Sequence, residues 1–197
     1  MRPITVHALS GSLRAGSFNT HALRAAAELA PEGMTIDLDG LDANPPRNPI
    51  GDIPLYNDDE KEKGFPQSVV DLGRRIGAAD AVLIATPEYN FSIPGVLKNA
   101  IDWLSRLPDQ PLNDKPLAIM GAARGPVGTG RVQYHLRQVA VFVNMHPLNK
   151  PEVLISMAHT KFDEAGNLTD ETTRGFIESQ MKALYDWTVR ISPAGGE

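Results

Sequence analysis

Predicted strands and helices alternate along this chain, and that alternation restricts the possible folds more than any other feature of the sequence. The predicted strands cover residues 4–9, 34–38, 80–86, 116–120 and 152–155. Apolar residues recur at helical spacing over residues 18–30, 69–76, 94–107, 131–144 and 169–191. Strands joined through helices are parallel, and such crossovers are right-handed in nearly all known cases. The sequence therefore predicts an α/β three-layer sandwich, a five-stranded parallel sheet of order 2-1-3-4-5 with helices on both faces.

The chain length and the even spacing of these segments predict a single domain spanning residues 1–197. A length of 197 residues is ordinary for one α/β domain, and no repeat or linker divides the chain. Residues 40–64 carry several Pro, Asn and Asp residues and are predicted to form a long loop. A loop of that length in a compact domain is usually functional or mobile.

Charge and hydropathy exclude several classes of partner. The chain has a formal charge of −5, and its 19 Lys and Arg residues are dispersed, so we expect no binding to nucleic acid. No stretch approaches the roughly 20 apolar residues of a membrane span. The first residues lack the apolar run of a signal peptide. We therefore expect a cytoplasmic protein with no membrane partner.

The absence of cysteine limits the redox chemistry that the side chains can supply. With no Cys in the chain, thiolate nucleophiles, disulfides and cysteine-bound iron–sulfur or metal sites are excluded. The five His residues are dispersed without zinc-site spacing. The acidic run at 58–62 is predicted to be an exposed turn, so no metal site is expected. Any electron transfer would need an added cofactor.

Three loops should meet at the carboxyl edge of the predicted sheet, where α/β domains bind ligands. The first loop, residues 10–19, contains three Ser, two Gly, one Arg and one Asn before a helix. Backbone N–H groups and the helix dipole favour an anion there. The loop lacks a G-x-G-x-x-G fingerprint and the Lys of a P-loop, so a monophosphate fits better than a longer phosphate chain. A simple turn with helix caps is the alternative.

The second and third loops have compositions suited to a flat ligand. Residues 86–95 include two aromatic residues and two Pro, which make a stiff ledge with apolar faces. These aromatic rings have an alternative role in packing over the core. Residues 121–131 include four Gly, which permit close approach of the backbone to a ligand plane. A flexible loop is the alternative for this segment.

Taken together, the three loops resemble those of the NADPH-dependent FMN reductase family, a flavodoxin-like family that includes bacterial quinone and chromate reductases. The resemblance covers nearly the whole chain. It is carried by Gly-Ser-Leu-Arg-Ala-Gly-Ser-Phe-Asn at 11–19, by Leu-Tyr-Asn at 55–57, and by Pro-Glu-Tyr-Asn at 87–90 continuing through Ile-Pro-Gly-Val-Leu-Lys-Asn-Ala-Ile-Asp-Trp at 93–103. The Gly-rich third loop matches in position more than in residues. The resemblance implies the flavodoxin-like form of the predicted sandwich.

The resemblance also implies which residues bind FMN. Five residues of the first loop would surround the phosphate: Ser10, Ser12, Arg14, Ser17 and Asn19. Phe18 of the same loop would also line the FMN site. The isoalloxazine would be bordered by Pro87, Glu88, Tyr89 and Asn90. Gly121 and its neighbours would lie at the opposite edge of the ring. We name no catalytic side chain, because hydride transfer is mainly the chemistry of the flavin.

The implied activity is electron transfer from NADPH or NADH through bound FMN to a quinone or similar small acceptor, including chromate or free flavin, by ping-pong hydride transfer. The sequence leaves open the natural acceptor, the choice between NADH and NADPH, and whether FMN is a tight cofactor or a released product. The alternative is a non-enzymatic, flavodoxin-like electron carrier or redox sensor. A charge of −5 argues weakly against a carrier, since such shuttles tend to be strongly acidic.

A homodimer or homotetramer is the expected assembly. Proteins of this family usually form dimers or tetramers, with the flavin near a subunit boundary. Val96, Asn99 and Trp103 share a helix face distinct from the apolar stripe. We expect that face to lie at an interface between subunits, and the alternative is that Trp103 packs into the core.

Overall fold

A parallel sheet forms the centre of the computed structural model, which describes residues 2–192. Its strands are β1 (Ile4–Ser10), β2 (Met34–Asp37), β3 (Ala81–Ala85), β4 (Pro116–Ala122), β5 (His146–Pro147) and β6 (Val153–Ile155). The order is 2-1-3-4-5, β6 also pairs with β4, and all of these pairings are parallel. The predicted order is therefore confirmed. The last five residues, 193–197, lie outside the described residues.

The fifth position of the sheet is divided between two short strands. The first pairs with the start of β4 at Pro116 and Leu117, and the second pairs with the end of β4 over Met120–Ala122. Two prolines, Pro147 and Pro151, lack the N–H group that a continuous ladder requires. The predicted single strand at 152–155 is therefore only the second half of this position.

Helices cover both faces of the sheet, as the alternation predicts. They are α1 (Phe18–Glu28), α2 (Asp58–Glu62), α3 (Gln67–Ala78), α4 (Gly95–Leu104), α5 (Gly130–Phe142) and α6 (Glu171–Ile191). One apolar cluster joins a sheet face to α1 and α6 through residues such as Val6, Leu23 and Met181. A second cluster joins the other face to α3, α4 and α5. Because all the strand pairings are parallel, the carboxyl ends of the strands lie at one common edge.

Two short helical segments interrupt the predicted long loop at 40–64. One is a 3₁₀ turn at Pro49–Asp52 and the other is α2. The chain between them covers α4, where Trp103 Nε1 donates a 2.8 Å hydrogen bond to the Pro54 carbonyl. Asn99 donates to the same carbonyl and accepts from the Tyr56 N–H. Trp103 is fully buried. The expectation that Trp103 lies at a subunit interface is therefore wrong, because the chain's own loop buries its indole.

The acidic run forms an exposed short helix in place of the expected exposed turn. Asn57 caps α2 by accepting from the Glu60 N–H, and Asp58 pairs with Lys61 at 2.6 Å. Within residues 2–192, no group of three His, Asp or Glu side chains is arranged to hold a metal ion. Over the same residues, no helix has the length and apolar character needed to cross a membrane.

His7 is a fully buried polar residue in β1, an interior strand of the sheet. Its Nδ1 lies 3.2 Å from Asp37 Oδ2, and because a carboxylate only accepts, Nδ1 carries the proton. Its Nε2 is buried without a partner. Burial lowers the pKa of His7, against the opposing effect of the hydrogen bond to Asp37. Protonation would place a second N–H in an apolar environment, so the folded chain holds this imidazole neutral.

We expect the stability of the protein to fall as the pH drops below 6.5, the ordinary pKa of His7. The folded-state pKa is lowered, so the unfolded chain binds this proton first, and stability is lost as the pH falls toward the folded pKa. One proton corresponds to a slope of at most about 1.4 kcal/mol per pH unit. Urea unfolding between pH 5 and 8 should show a shallower pH dependence for His7→Gln than for the unmodified chain. Parallel curves would contradict the assignment.

Candidate flavin-binding cleft

The loops that follow β1, β3 and β4 meet at the carboxyl edge of the sheet and border a cleft of about 430 Å³. It is lined by Ser12, Arg14, Ser17, Phe18, Asn19, Pro87, Glu88, Tyr89, Ala122, Ala123 and Arg124. The predicted site residues are all in this lining except Ser10, Asn90 and Gly121. The three loops therefore come together as the sheet order requires.

The first loop is held in a curled conformation by hydrogen bonds to its own backbone. Ser17 caps α1, with its Oγ accepting from the N–H groups of Asn19 and Thr20 at 3.2 and 3.4 Å. Asn48 donates from Nδ2 to the carbonyls of Ser10 and Ser12 at 2.9 and 3.0 Å. Asn48 lies in the predicted long loop, and nothing in its local sequence distinguishes it from other turn residues. Sequence reasoning therefore missed this support.

Asn19 connects the first loop to the third. Its Nδ2 donates to the Ala122 carbonyl at 3.1 Å, and its Oδ1 accepts from the Ala122 N–H at 2.8 Å. The side chain satisfies both backbone groups at the end of β4 and is itself only 3% exposed. Asn19 therefore lines the cleft and also holds two of its walls together.

Two residues expected in the cleft lie behind it. Ser10 is fully buried, and its hydroxyl is 2.9 Å from that of Thr20. Gly121 is also buried, and a Cβ at this position would overlap Thr129 Oγ1 and the Thr86 carbonyl. Ser10 and Gly121 thus support the cleft by packing, and the neighbours Ala122, Ala123 and Arg124 form the edge expected of Gly121. The residue type alone does not distinguish a buried serine or glycine from a lining one.

The second loop ends in a tight turn. Tyr89 and Ser92 exchange backbone hydrogen bonds of 3.1 and 2.9 Å, and Asn90 and Phe91 between them have φ values of 51° and 63°. This left-handed conformation is common for Asn but uncommon for a bulky residue such as Phe. Asn90 is exposed and lies outside the cleft lining. The Arg131 guanidinium lies over the Phe91 ring, 4.0 Å from its centroid.

Glu88 lines the cleft, but its carboxylate is engaged by helix α5. Oε2 accepts from the N–H groups of Arg131 and Val132 at 3.0 and 3.1 Å, and Oε1 lies 3.2 Å from Arg131 Nη1. A carboxylate at a helix N-terminus satisfies free donors and complements the dipole. Glu88 therefore fixes the second loop against the helix that follows the third loop.

We expect Glu88→Ala to lower the free energy of unfolding by about 0.5–2 kcal/mol, the usual range for loss of a helix cap. Glu88→Gln should lose less, because one amide oxygen still accepts from the helix. Glu178→Ala on α6, which removes an exposed pair with Lys182, is the matched control and should change stability by less than about 0.5 kcal/mol. Urea unfolding followed by circular dichroism measures all three. Equal effects of Glu88→Ala and the control would refute the capping role.

Positive charge is concentrated where α1 begins. Arg14 and Arg124 place their guanidinium carbons 5.3 and 5.6 Å from the centroid of the Phe18 ring. Gly16 gives Arg14 room to approach α1, since a Cβ there would lie 3.3 Å from Arg14 Nη1. Sequence reasoning did not single out Arg124, because its proximity to Phe18 depends on the sheet order.

The lining residues fit an FMN-sized ligand with a charged end and a flat end. Ser12, Ser17 and Arg14 offer hydroxyl and guanidinium groups at the α1 end, where a phosphate is favoured. Pro87 and Tyr89 offer apolar surface at the other wall. The small side chains of Ala122 and Ala123 leave space for a ring beside the third loop. The donor set therefore suits a phosphate monoester attached to a heterocycle.

Comparisons with known proteins agree with this geometry. The model of the family described as NADPH-dependent FMN reductase matches residues 4–160. An NAD(P)H-dependent FMN reductase of Pseudomonas aeruginosa is 52% identical over 188 residues, covering 95% of this chain and 97% of the relative. A quinone reductase of Escherichia coli is 44% identical over 190 residues, covering 95% and 97%.

Among solved structures, the flavoenzyme FerB, an NAD(P)H:(acceptor) oxidoreductase of Paracoccus denitrificans, superposes with a TM-score of 0.81. It is 35% identical, and the match covers 95% of this chain and 98% of that protein. The family match extends over most of the chain and includes all three loops of the cleft. The chain therefore belongs to the NADPH-dependent FMN reductase family.

Proposed function

We propose that this protein is an FMN-dependent NAD(P)H oxidoreductase that passes electrons to quinones or similar small acceptors. The observation that carries the proposal is the cleft at the carboxyl edge, with phosphate-binding groups on one wall and a stiff apolar ledge on another. Its relatives include an FMN reductase and a quinone reductase, each matching 95% of this chain. A loop rich in hydroxyl groups would not by itself support this function. The support comes from its position opposite the apolar ledge in one cleft, together with the relatives' activities.

The first loop would hold the phosphate of FMN. Ser12 and Ser17 would donate hydroxyl hydrogen bonds, and Arg14 would supply a cation. Asn19 would keep the loop at a constant distance from β4 through its two bonds to Ala122. These residues would therefore orient one end of the cofactor and bring its ring toward the second loop.

The second and third loops would hold the ring. Pro87 and Tyr89 would contact its faces or edge, and the small side chains of Ala122 and Ala123 would let the ring approach the third loop. When bound, FMN accepts a hydride from NAD(P)H and passes electrons to the acceptor. We assign no acid or base, because Glu88, the one carboxylate in the lining, is engaged by α5.

We also propose that the chain acts as one domain and assembles into a homodimer or homotetramer. The single-domain proposal is supported by the two apolar clusters, which share one sheet. Oligomerisation is supported by the apolar side chains Tyr134, Val141 and Phe142 of α5, which are 61–78% exposed. Sedimentation equilibrium would measure the mass, and a monomer at micromolar concentration would contradict the assembly.

The visible spectrum of the purified protein, recorded with added FMN and then NADPH under nitrogen, tests the proposed function. We expect bound-flavin absorbance that is lost on addition of NADPH and returns on addition of a quinone. Slow NADPH oxidation with bound flavin would favour an electron carrier. No binding at saturating FMN would contradict the proposal.

A further inference from the structure

Arg124 is a charged residue of the third loop that the proposed phosphate site does not yet use. It is exposed, lines the cleft, and lies 5.6 Å from the Phe18 ring centroid. Arg14 approaches the same ring at 5.3 Å from the first loop. Two guanidinium groups from separate loops thus converge on the first residue of α1.

No carboxylate within residues 2–192 pairs with either guanidinium. Several other arginines of the protein are paired with a carboxylate, as Arg131 is with Glu88 at 3.2 Å and Arg75 is with Asp37 at 2.8 Å. The first turn of α1 contains no acidic residue that would offset the charge. Both guanidinium groups lie near one ring, at 5.3 and 5.6 Å from its centroid, and no anionic side chain among the described residues offsets their charge. The cleft therefore has a local excess of positive charge on the wall where the phosphate is proposed to bind.

We propose that Arg124 is a second phosphate-binding cation, which together with Arg14 brackets the phosphate monoester of FMN. This inference rests on the proposed function. A phosphate monoester carries about −1.5 to −2 charges at pH 7, so two guanidinium groups match it better than one. The third loop lines the cleft with Ala122, Ala123 and Arg124. Of these three residues, only Arg124 has a charged side chain that could contact the phosphate.

The consequence is selectivity for the phosphorylated flavin. Riboflavin has the same ring without the phosphate, so it would gain nothing from Arg124. With FMN bound, the phosphate would connect Arg124 of the third loop to Arg14 of the first. This contact would add to the hydrogen bonds that Asn19 already makes between the two loops. Arg124 would thus act on affinity for the phosphate and leave the affinity for the ring unchanged.

Dissociation constants for FMN and riboflavin, measured by quenching of flavin fluorescence, test the proposal. Arg124→Ala should weaken FMN binding by about tenfold or more, the usual value of a charge-assisted hydrogen bond. Riboflavin binding should stay within twofold, and Arg124→Lys should recover part of the FMN affinity. The matched control is Arg190→Ala. Arg190 is an exposed arginine 5.8 Å from the centroid of the Trp187 ring, at the opposite edge of the sheet. Its replacement should leave both dissociation constants unchanged.

Three results would overturn the proposal. An FMN dissociation constant within twofold of the unmodified protein would show that Arg124 does not bind this phosphate. The same result combined with a raised KM for NADPH would assign Arg124 to the phosphate of the donor instead. Equal weakening of FMN and riboflavin would indicate a purely structural role. Failure of the unmodified protein to bind FMN would contradict the proposed function itself, a result distinct from all three.

Discussion

Replacing Asn19 with alanine is expected to lower the free energy of unfolding by about 2–5 kcal/mol. The change removes both hydrogen bonds to Ala122 and leaves a backbone N–H and carbonyl at the end of β4 without partners. Each buried polar group left unsatisfied costs about 1–3 kcal/mol. Because the same residue lines the cleft, FMN affinity should fall together with stability. Urea unfolding and a flavin titration measure the two effects.

Asn113→Ala is the matched control for this experiment. Asn113 also makes two side-chain hydrogen bonds, to Asp114 and Asn144, but it is exposed, so water can replace them. We expect it to change stability by less than about 0.5 kcal/mol. If the Asn19 and Asn113 variants were equally stable, the bridge between α1 and β4 would contribute nothing beyond an ordinary surface contact.

Replacing Arg14 with alanine is expected to weaken FMN binding ten- to a hundredfold without destabilising the fold. The guanidinium is exposed and unpaired within the described residues 2–192, so its removal leaves no buried group unsatisfied. A charge-assisted hydrogen bond to phosphate is worth about 1.5–3 kcal/mol, which corresponds to that change in affinity. A fluorescence titration with FMN gives the dissociation constant, and circular dichroism gives the thermal midpoint.

Riboflavin again separates the phosphate from the ring in this test. Arg14→Ala should leave riboflavin binding nearly unchanged, and Arg14→Lys should retain part of the FMN affinity, since Lys keeps the charge but not the planar fork. An FMN dissociation constant within twofold of the unmodified protein would remove Arg14 from the site. The Asn19 and Arg14 variants thus separate a residue that builds the cleft from one that binds in it.

The general architecture follows from local patterns in the sequence. Periodicity alone places the strands and helices, because an apolar run such as residues 81–85 is typical of a strand that a parallel sheet covers on both faces. The handedness of crossovers then leads to the order 2-1-3-4-5. The departures occur where a distant partner intervenes. The fifth position is split at Pro147 and Pro151, and Trp103 is covered by a segment almost fifty residues before it.

The site divides in the same way. Ser12, Arg14 and Ser17 are identifiable from the first loop, because it leads into a helix N-terminus, where backbone N–H groups favour an anion. The resemblance to a known family adds Pro87 and Tyr89. All of these remain proposed ligands of FMN, and the titration of Arg14→Ala is the direct test of one of them.

Other features depend on contacts between residues far apart in the chain. Asn19 meets Ala122, Glu88 caps α5, Asn48 supports the first loop, and Arg124 approaches Phe18. Local residue preferences act over a few positions and therefore set strands, helices and turns. Which polar side chain is left free for a ligand depends on which buried backbone groups need a partner. These backbone groups and side chains meet only when the sheet has brought the three loops together, so local residue preferences do not determine which side chain stays free.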